Sequence, residues 1–132
     1  MASIFSKIIQ GEIPAYKVAE NENYLAFLDV FPLAKGHVLV VPKKEVDYLF
    51  DMEKGAYLEL LDFAREVAIA IKKAVPCTKV GVAVIGLEVA HAHIHLVPIN
   101  SVGDINFSRP KLKFPEAEME EVCKLISTAY SN

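Results

Sequence analysis

The 132-residue chain has no tryptophan and only two cysteines, Cys77 and Cys123. Neither cysteine sits in a paired motif, so two free thiols, buried or half-buried, are expected rather than a disulfide. No apolar run approaches the eighteen or so residues a membrane span needs, which excludes a membrane partner of that kind. The start, Met-Ala-Ser-Ile-Phe-Ser-Lys, lacks a basic lead, an apolar stretch and a small-residue cleavage site, so no signal peptide is expected and a cytoplasmic location is. Basic charge is also short: 14 Lys and Arg against 17 Asp and Glu leave a formal charge of −3, which argues against bulk nucleic-acid binding. There is no internal repeat and no low-complexity tract.

What remains is 53% hydrophobic and 23% charged, the balance of one compact domain over 1–132 with a single core. Ser3 can cap a short helix carrying Ile4, Phe5, Ile8 and Ile9 and ending at Gly11. Tyr16 to Glu20 and Tyr24 to Asp29 read as strands around the polar break Asn21-Glu22-Asn23, and Gly36 to Pro42 as a strongly apolar strand. From Met52 to Val75 the period becomes helical: Tyr57, Leu60, Leu61, Ala64, Val67, Ala68, Ile71 and Val75 recur every three or four residues until Pro76. Lys79 to Ile85 and Ala90 to Ile99 are two further strands. Pro115 opens a last helix with Met119, Val122, Cys123 and Ile126 inward. The class is α+β: a five-stranded antiparallel sheet covered by one long helix, with short N-terminal and C-terminal helices.

Three of the chain's four histidines stand at 91, 93 and 95. On a strand their side chains share one face, roughly 7 Å apart at Cα, while Ala92, Ile94 and Leu96 point to the other. Three imidazoles on one face are poor core material and unnecessary for solubility. Two chemistries fit the row. One is metal binding, because imidazole is a common neutral ligand. The other is nucleophilic attack on phosphorus by one ring nitrogen while a hydrogen bond holds the other, with neighbouring imidazoles donating to phosphate oxygens.

His91-Ala92-His93-Ile94-His95-Leu96-Val97 resembles the His-φ-His-φ-His-φ-φ signature of the histidine-triad nucleotide hydrolases and transferases. Upstream, Ile4-Phe5-Ser6-Lys7-Ile8, Glu12-Ile13-Pro14, Leu25-Ala26-Phe27-Leu28-Asp29 and Gly36-His37-Val38-Leu39-Val40-Val41-Pro42-Lys43 are similar to the Hint-type branch. The match runs from about Ser3 to Pro98 and is only loose over 100–132.

The resemblance implies hydrolysis of purine nucleoside phosphoramidates, adenosine or guanosine monophosphate joined to an amine, through a nucleotidyl-histidine intermediate. It makes His93 the nucleophile and His95 a phosphate contact, with His91 and His37 supporting orientation and proton movement. Asp29 matches the carboxylate that receives the ribose hydroxyls, and Ile4, Phe5, Ile8, Phe27 and Val30 match the walls around the base. A homodimer joined edge to edge through its sheets is implied, and the tail from Ser101 to Lys113, with Phe107, is a candidate to reach the partner's pocket. No cofactor is implied.

Two departures matter. Relatives that hold structural zinc use cysteines and a histidine where this chain has Ser3, Ser6 and Glu45, so no metal is expected. The family's asparagine and Gly-Gln-Ser/Thr segment before the triad is replaced by Ala83-Val84-Ile85-Gly86-Leu87-Glu88-Val89-Ala90, which puts Glu88 near the nucleotide site. A carboxylate there repels phosphate unless it is protonated, paired or turned away, or it receives a cationic leaving group. Dinucleoside polyphosphate hydrolysis, nucleotide binding without turnover, and a metalloprotein using His91, His93 and His95 stand as alternatives.

Overall fold

The computed structural model describes residues 2–132. Its elements are α1 (Ile4–Ile9), β1 (Lys17–Glu20), β2 (Tyr24–Leu28), β3 (Val38–Pro42), α2 (Lys54–Ala74), β4 (Lys79–Ala83), β5 (Ile94–Ile99) and α3 (Glu116–Ser131), with 3-10 turns at Leu49–Asp51 and Val102–Ile105. The five strands form one antiparallel sheet in the order β1-β2-β3-β5-β4, so β5 inserts between β3 and β4. Among the described residues no helix is long and apolar enough to cross a membrane.

One face of the sheet carries Val18, Ala26, Leu28, Val38, Val40, Ile94 and Leu96, and packs against Leu60, Phe63, Val67 and Ile71 of α2 and Met119, Val122 and Ile126 of α3. Each such fully buried aliphatic side chain contributes about 1.5–3 kcal/mol. The helical period fits this face, and Glu53 caps α2 by accepting from the N–H groups of Gly55 and Ala56. The opposite face carries Leu25, Phe27, Leu39 and Val41, covered by Phe5 and Ile8 of α1. The sheet is therefore buried on both sides at β2 and β3, whose residues are all buried.

β5 begins at Ile94 rather than Ala90, so only His95 of the three neighbouring histidines lies on a strand. The reason is local. The β3–β5 register pairs Val40 with Ile94, and continuing it would set Ala92 opposite Pro42, which has no N–H to give. The Ala92 N–H instead bonds the Val46 carbonyl at 2.6 Å, and the His91 N–H turns back to the Val89 carbonyl at 2.9 Å. The side-chain alternation persists without the ladder: Ala92, Ile94 and Leu96 stay in the helix-side core.

The connection into β3 turns at Gly36, whose φ is +94°. A Cβ there would stand 2.9 Å from Val75 Cγ2 and 3.3 Å from Pro98 Cγ, so both the backbone and the packing call for glycine. That turn delivers His37 to the same end of the sheet as His95.

Candidate active site

His37, His91, His93 and His95 come together, and all are buried, with exposures of 1%, 0%, 7% and 9%. The open row of imidazoles expected from the sequence is thus a packed cluster at the α1 face. Phe5 of α1 sets its ring edge against both His91 and His93, with centroids 5.8 and 4.9 Å apart. His93 and His95 meet at 4.9 Å, and His95 and His37 at 5.2 Å.

The backbone decides which ring nitrogens carry protons. The His91 carbonyl, which can only accept, lies 2.7 Å from His93 Nδ1. Neutral His93 therefore holds its proton at Nδ1 and leaves Nε2 as a bare lone pair. The Leu33 N–H, which can only donate, lies 3.0 Å from His37 Nδ1. His37 then carries its proton at Nε2 and donates it to His95 Nδ1 at 3.0 Å. His95 is left with Nε2–H as an outward donor. By the same logic the Pro42 carbonyl at 2.8 Å takes the His91 Nε2–H, so His91 Nδ1 accepts. The cluster thus pairs an unprotonated Nε2 on His93 with a protonated Nε2 on its neighbour His95.

Burial keeps the supporting rings neutral. Desolvation first, then the neighbouring His95 and the Lys111 ammonium, push His37 down to about 3. Desolvation, then His93 and Lys111, push His95 to about 4. His91 is also lowered, by burial outweighing its bond to the Pro42 carbonyl and the nearby Glu45.

Asp29 follows the end of β2. Its Oδ1 accepts from the Phe31 N–H at 2.9 Å, so it does cap the turn before Pro32. Its Oδ2 lies 3.7 Å from His37 Nε2 and remains available. Burial raises the Asp29 carboxyl above its ordinary value, opposed by the Phe31 N–H and by Lys111.

Of the expected apolar walls, Phe5, Phe27 and Ile8 belong to one buried cluster, with Phe5 and Phe27 in edge contact at 5.6 Å. Ile4 and Val30 are half-exposed, at 51% and 50%. Glu88 is exposed in the bent segment before His91. Lys43 pairs with Glu20 at 2.8 Å, and the Glu116, Glu118, Glu120 and Glu121 carboxylates lie on an exposed helix face.

Phe107, Ser3, Ser6 and Glu45 enter the sequence reading, but three sets of contacts carried no sequence signal of their own. Phe107 packs on His95 of its own chain at 4.6 Å and faces His37 at 6.3 Å. Lys111 sits over the Phe107 ring at 5.6 Å and donates to the Phe107 carbonyl at 2.7 Å. Behind His91, Ser3, Ser6 and Glu45 form a hydrogen-bonded group. Ser3 is legible as a helix cap, but nothing near Glu45 marks it as a partner of a histidine 46 residues on.

A family model described as HIT domain matches residues 10–102. The chain is 37% identical over 130 residues to an uncharacterized HIT-like protein of Mycoplasma genitalium, covering 94% of this chain and 91% of that one. A zinc-bound histidine triad family protein from Mycobacterium smegmatis superposes with a TM-score of 0.85 at 26% identity, covering 99% of this chain and 94% of that one. A hypothetical histidine triad nucleotide-binding protein from Sulfolobus tokodaii superposes with a TM-score of 0.83 at 27% identity, covering 97% and 91%.

Zinc does not fit the residues present. The Ser3 and Ser6 hydroxyls cannot ligate as thiolates do and are already committed to hydrogen bonds. Asp29, His37 and His95 present ligand atoms within 4.8 Å of one another. An ion on His37 Nε2 would nevertheless have to displace the proton that the Leu33 N–H keeps there, leaving an imidazolate or breaking that bond.

Proposed function

Because the chain belongs to the HIT domain family, whose members bind nucleotides, we propose that it hydrolyses purine nucleoside 5′-phosphoramidates with His93 as nucleophile. The observation that supports this reading most is the proton arrangement. His93 Nε2 is bare because Nδ1–H is held by the His91 carbonyl, and beside it stands a His95 whose Nδ1 is occupied by His37.

In the first step His93 Nε2 bonds to phosphorus and the phosphorus–amine bond breaks. The ring becomes cationic as it is phosphorylated, and its Nδ1–H bond to the His91 carbonyl strengthens with that charge. His95 Nε2–H donates to a phosphoryl oxygen. A neutral imidazole in this role acts by hydrogen bonding, since full transfer would leave an imidazolate. The same reasoning limits the part of His37 and His91 to orientation: a neutral chain that ends on a backbone N–H has no proton to pass along. The departing amine takes its proton from water. In the second step water attacks phosphorus, the bond to Nε2 breaks, and the proton lost by that water balances the one gained by the amine.

Asp29 Oδ2 receives the ribose hydroxyls while Oδ1 stays on the Phe31 N–H, and Phe5, Ile8, Phe27, Ile4 and Val30 flank the purine. Glu88, exposed, is free to meet a cationic leaving group. The unpaired edge of β4, with Val82 62% exposed and Leu87 beyond it 90% exposed, is the edge for joining a second copy.

The test is amine release from a fluorogenic adenosine phosphoramidate in the presence of EDTA. Turnover by the unmodified protein, abolished in His93→Ala, is expected. Binding without release would reduce the protein to a nucleotide-binding module, and loss of turnover with EDTA would favour a metal.

A further inference from the structure

Behind the histidines lies a polar cluster that the proposed reaction leaves unused. It draws on three separate segments: the start of α1, the loop after β3, and His91. Glu45 Oε1 accepts from the Ser3 N–H at 2.7 Å and from the Ser6 hydroxyl at 2.7 Å. Ser3 Oγ accepts from the Ser6 N–H at 3.0 Å, so its own proton is free to go to His91 Nδ1, 2.8 Å away. That nitrogen must accept, because the Pro42 carbonyl takes the Nε2–H. Glu45 itself stands 3.9 Å from His91 Nδ1.

His91 has no exposed surface and both ring nitrogens are engaged by protein groups. Its ring cannot reach a substrate. What it offers the site is its backbone carbonyl, the acceptor that holds His93 Nδ1–H at 2.7 Å. Anything that pins the His91 ring therefore also pins the group that keeps His93 Nε2 unprotonated and aimed.

We propose that Glu45, Ser6, Ser3 and His91 form a metal-free clasp that fixes the His91 carbonyl and so holds the His93 ring in its reactive form, with Glu45 as a positioning residue. The inference rests on the reading of His93 as nucleophile. Hydrogen bonds to an ionised acceptor are about twice as strong as neutral ones, which suits a clasp built on a carboxylate. The Ser3 N–H and the Ser6 hydroxyl hold Glu45 well below the usual carboxylate range, at about 2, so it is charged at neutral pH. The donor chemistry that rules against zinc here is the same feature that makes the clasp work: hydroxyls relay hydrogen bonds where thiolates would bind metal.

The test compares the unmodified full chain with Glu45→Gln, Glu45→Ala and Ser3→Ala, reading two quantities. One is the imidazole tautomer of His93 from nitrogen–proton correlation spectra; the other is kcat and KM on an adenosine phosphoramidate. Glu45→Ala and Ser3→Ala are expected to show mixed His93 tautomers and kcat lowered roughly ten-fold, with KM within about two-fold. Glu45→Gln keeps an oxygen for both donors but loses the charge, and is expected to fall between the unmodified protein and Glu45→Ala in both readouts, while EDTA treatment of the unmodified protein is expected to change neither. Alanine variants that melt lower but keep the His93 tautomer and kcat would overturn the proposal, leaving the cluster a fold contact only. A change of tautomer on EDTA treatment would overturn its metal-free character. If the unmodified protein turns over nothing, the tautomers decide alone: redistribution in Glu45→Ala supports the clasp while the hydrolase reading falls, and unchanged tautomers sink it.

Discussion

Among single residues, the reactivity of the histidines depends on which ring atoms carry protons, and three backbone groups set this. The Leu33 N–H, the Pro42 carbonyl and the His91 carbonyl each have one possible role, so each fixes the imidazole it meets. Asp29 shows the same economy, with one oxygen on the Phe31 N–H and the other facing the site. An Asp29→Asn variant keeps an oxygen for the turn but loses the second acceptor. Its KM for an adenosine phosphoramidate is expected to rise about ten-fold, close to 1.4 kcal/mol of binding. Its stability should stay equal or rise: burial lifts the Asp29 carboxyl above its ordinary value, so the ionised form costs stability at neutral pH. Chemical denaturation beside steady-state kinetics checks both, and an unchanged KM would remove Asp29 from the binding site.

At the scale of elements, the site sits where strand pairing stops. Apolar spacing together with turn and breaker residues such as Asn21-Glu22-Asn23, Gly36 and Pro76 was enough to read the long helix, the five strands and the one-face display of histidines. The start of β5 was not legible: it turns on Pro42 lacking an N–H across the sheet and on the Val46 carbonyl capturing Ala92. The burial of the histidines was equally hidden, since it comes from α1 and from the segment after β5 rather than from their own strand. That segment is tied down by the Leu112 N–H on the Pro32 carbonyl at 2.9 Å and lays Phe107 on His95. It covers the chain's own site. Removing the ring should rehydrate His95, whose lowering is due first to burial. In Phe107→Ala, His95 is expected to titrate closer to the ordinary histidine value in an NMR pH series, and an unmoved His95 would show that the ring shields nothing.

At the scale of the whole molecule, burying neutral histidines makes the fold acid-sensitive. His37 and His95 titrate near 3 and 4 when folded, and His91 is lowered too, whereas all three titrate near 6.5 when unfolded. Below that value the unfolded chain binds more protons than the folded one. The stability contributed by the neutral rings is complete above pH 6.5 and is lost as pH falls toward 4. Each such histidine adds a slope of about 1.4 kcal/mol per pH unit within that window. Glu45, held at about 2, acts at lower pH, and Asp29, raised by burial, acts with the sign opposite to the histidines, so urea unfolding at pH 7, 6 and 5 of the unmodified protein beside Asp29→Asn isolates the histidines. A steep fall is expected, and a flat profile would mean the rings are hydrated or charged in the folded state.

The most direct measurement is the intact mass of the protein quenched during turnover of an adenosine phosphoramidate, followed by digestion to locate any adduct. The expected result is a gain of one adenylyl group on His93, absent in His93→Ala and unaffected by EDTA. An adduct on another residue, or steady turnover with no adduct under conditions that stabilise phosphohistidine, would contradict attack by His93 Nε2.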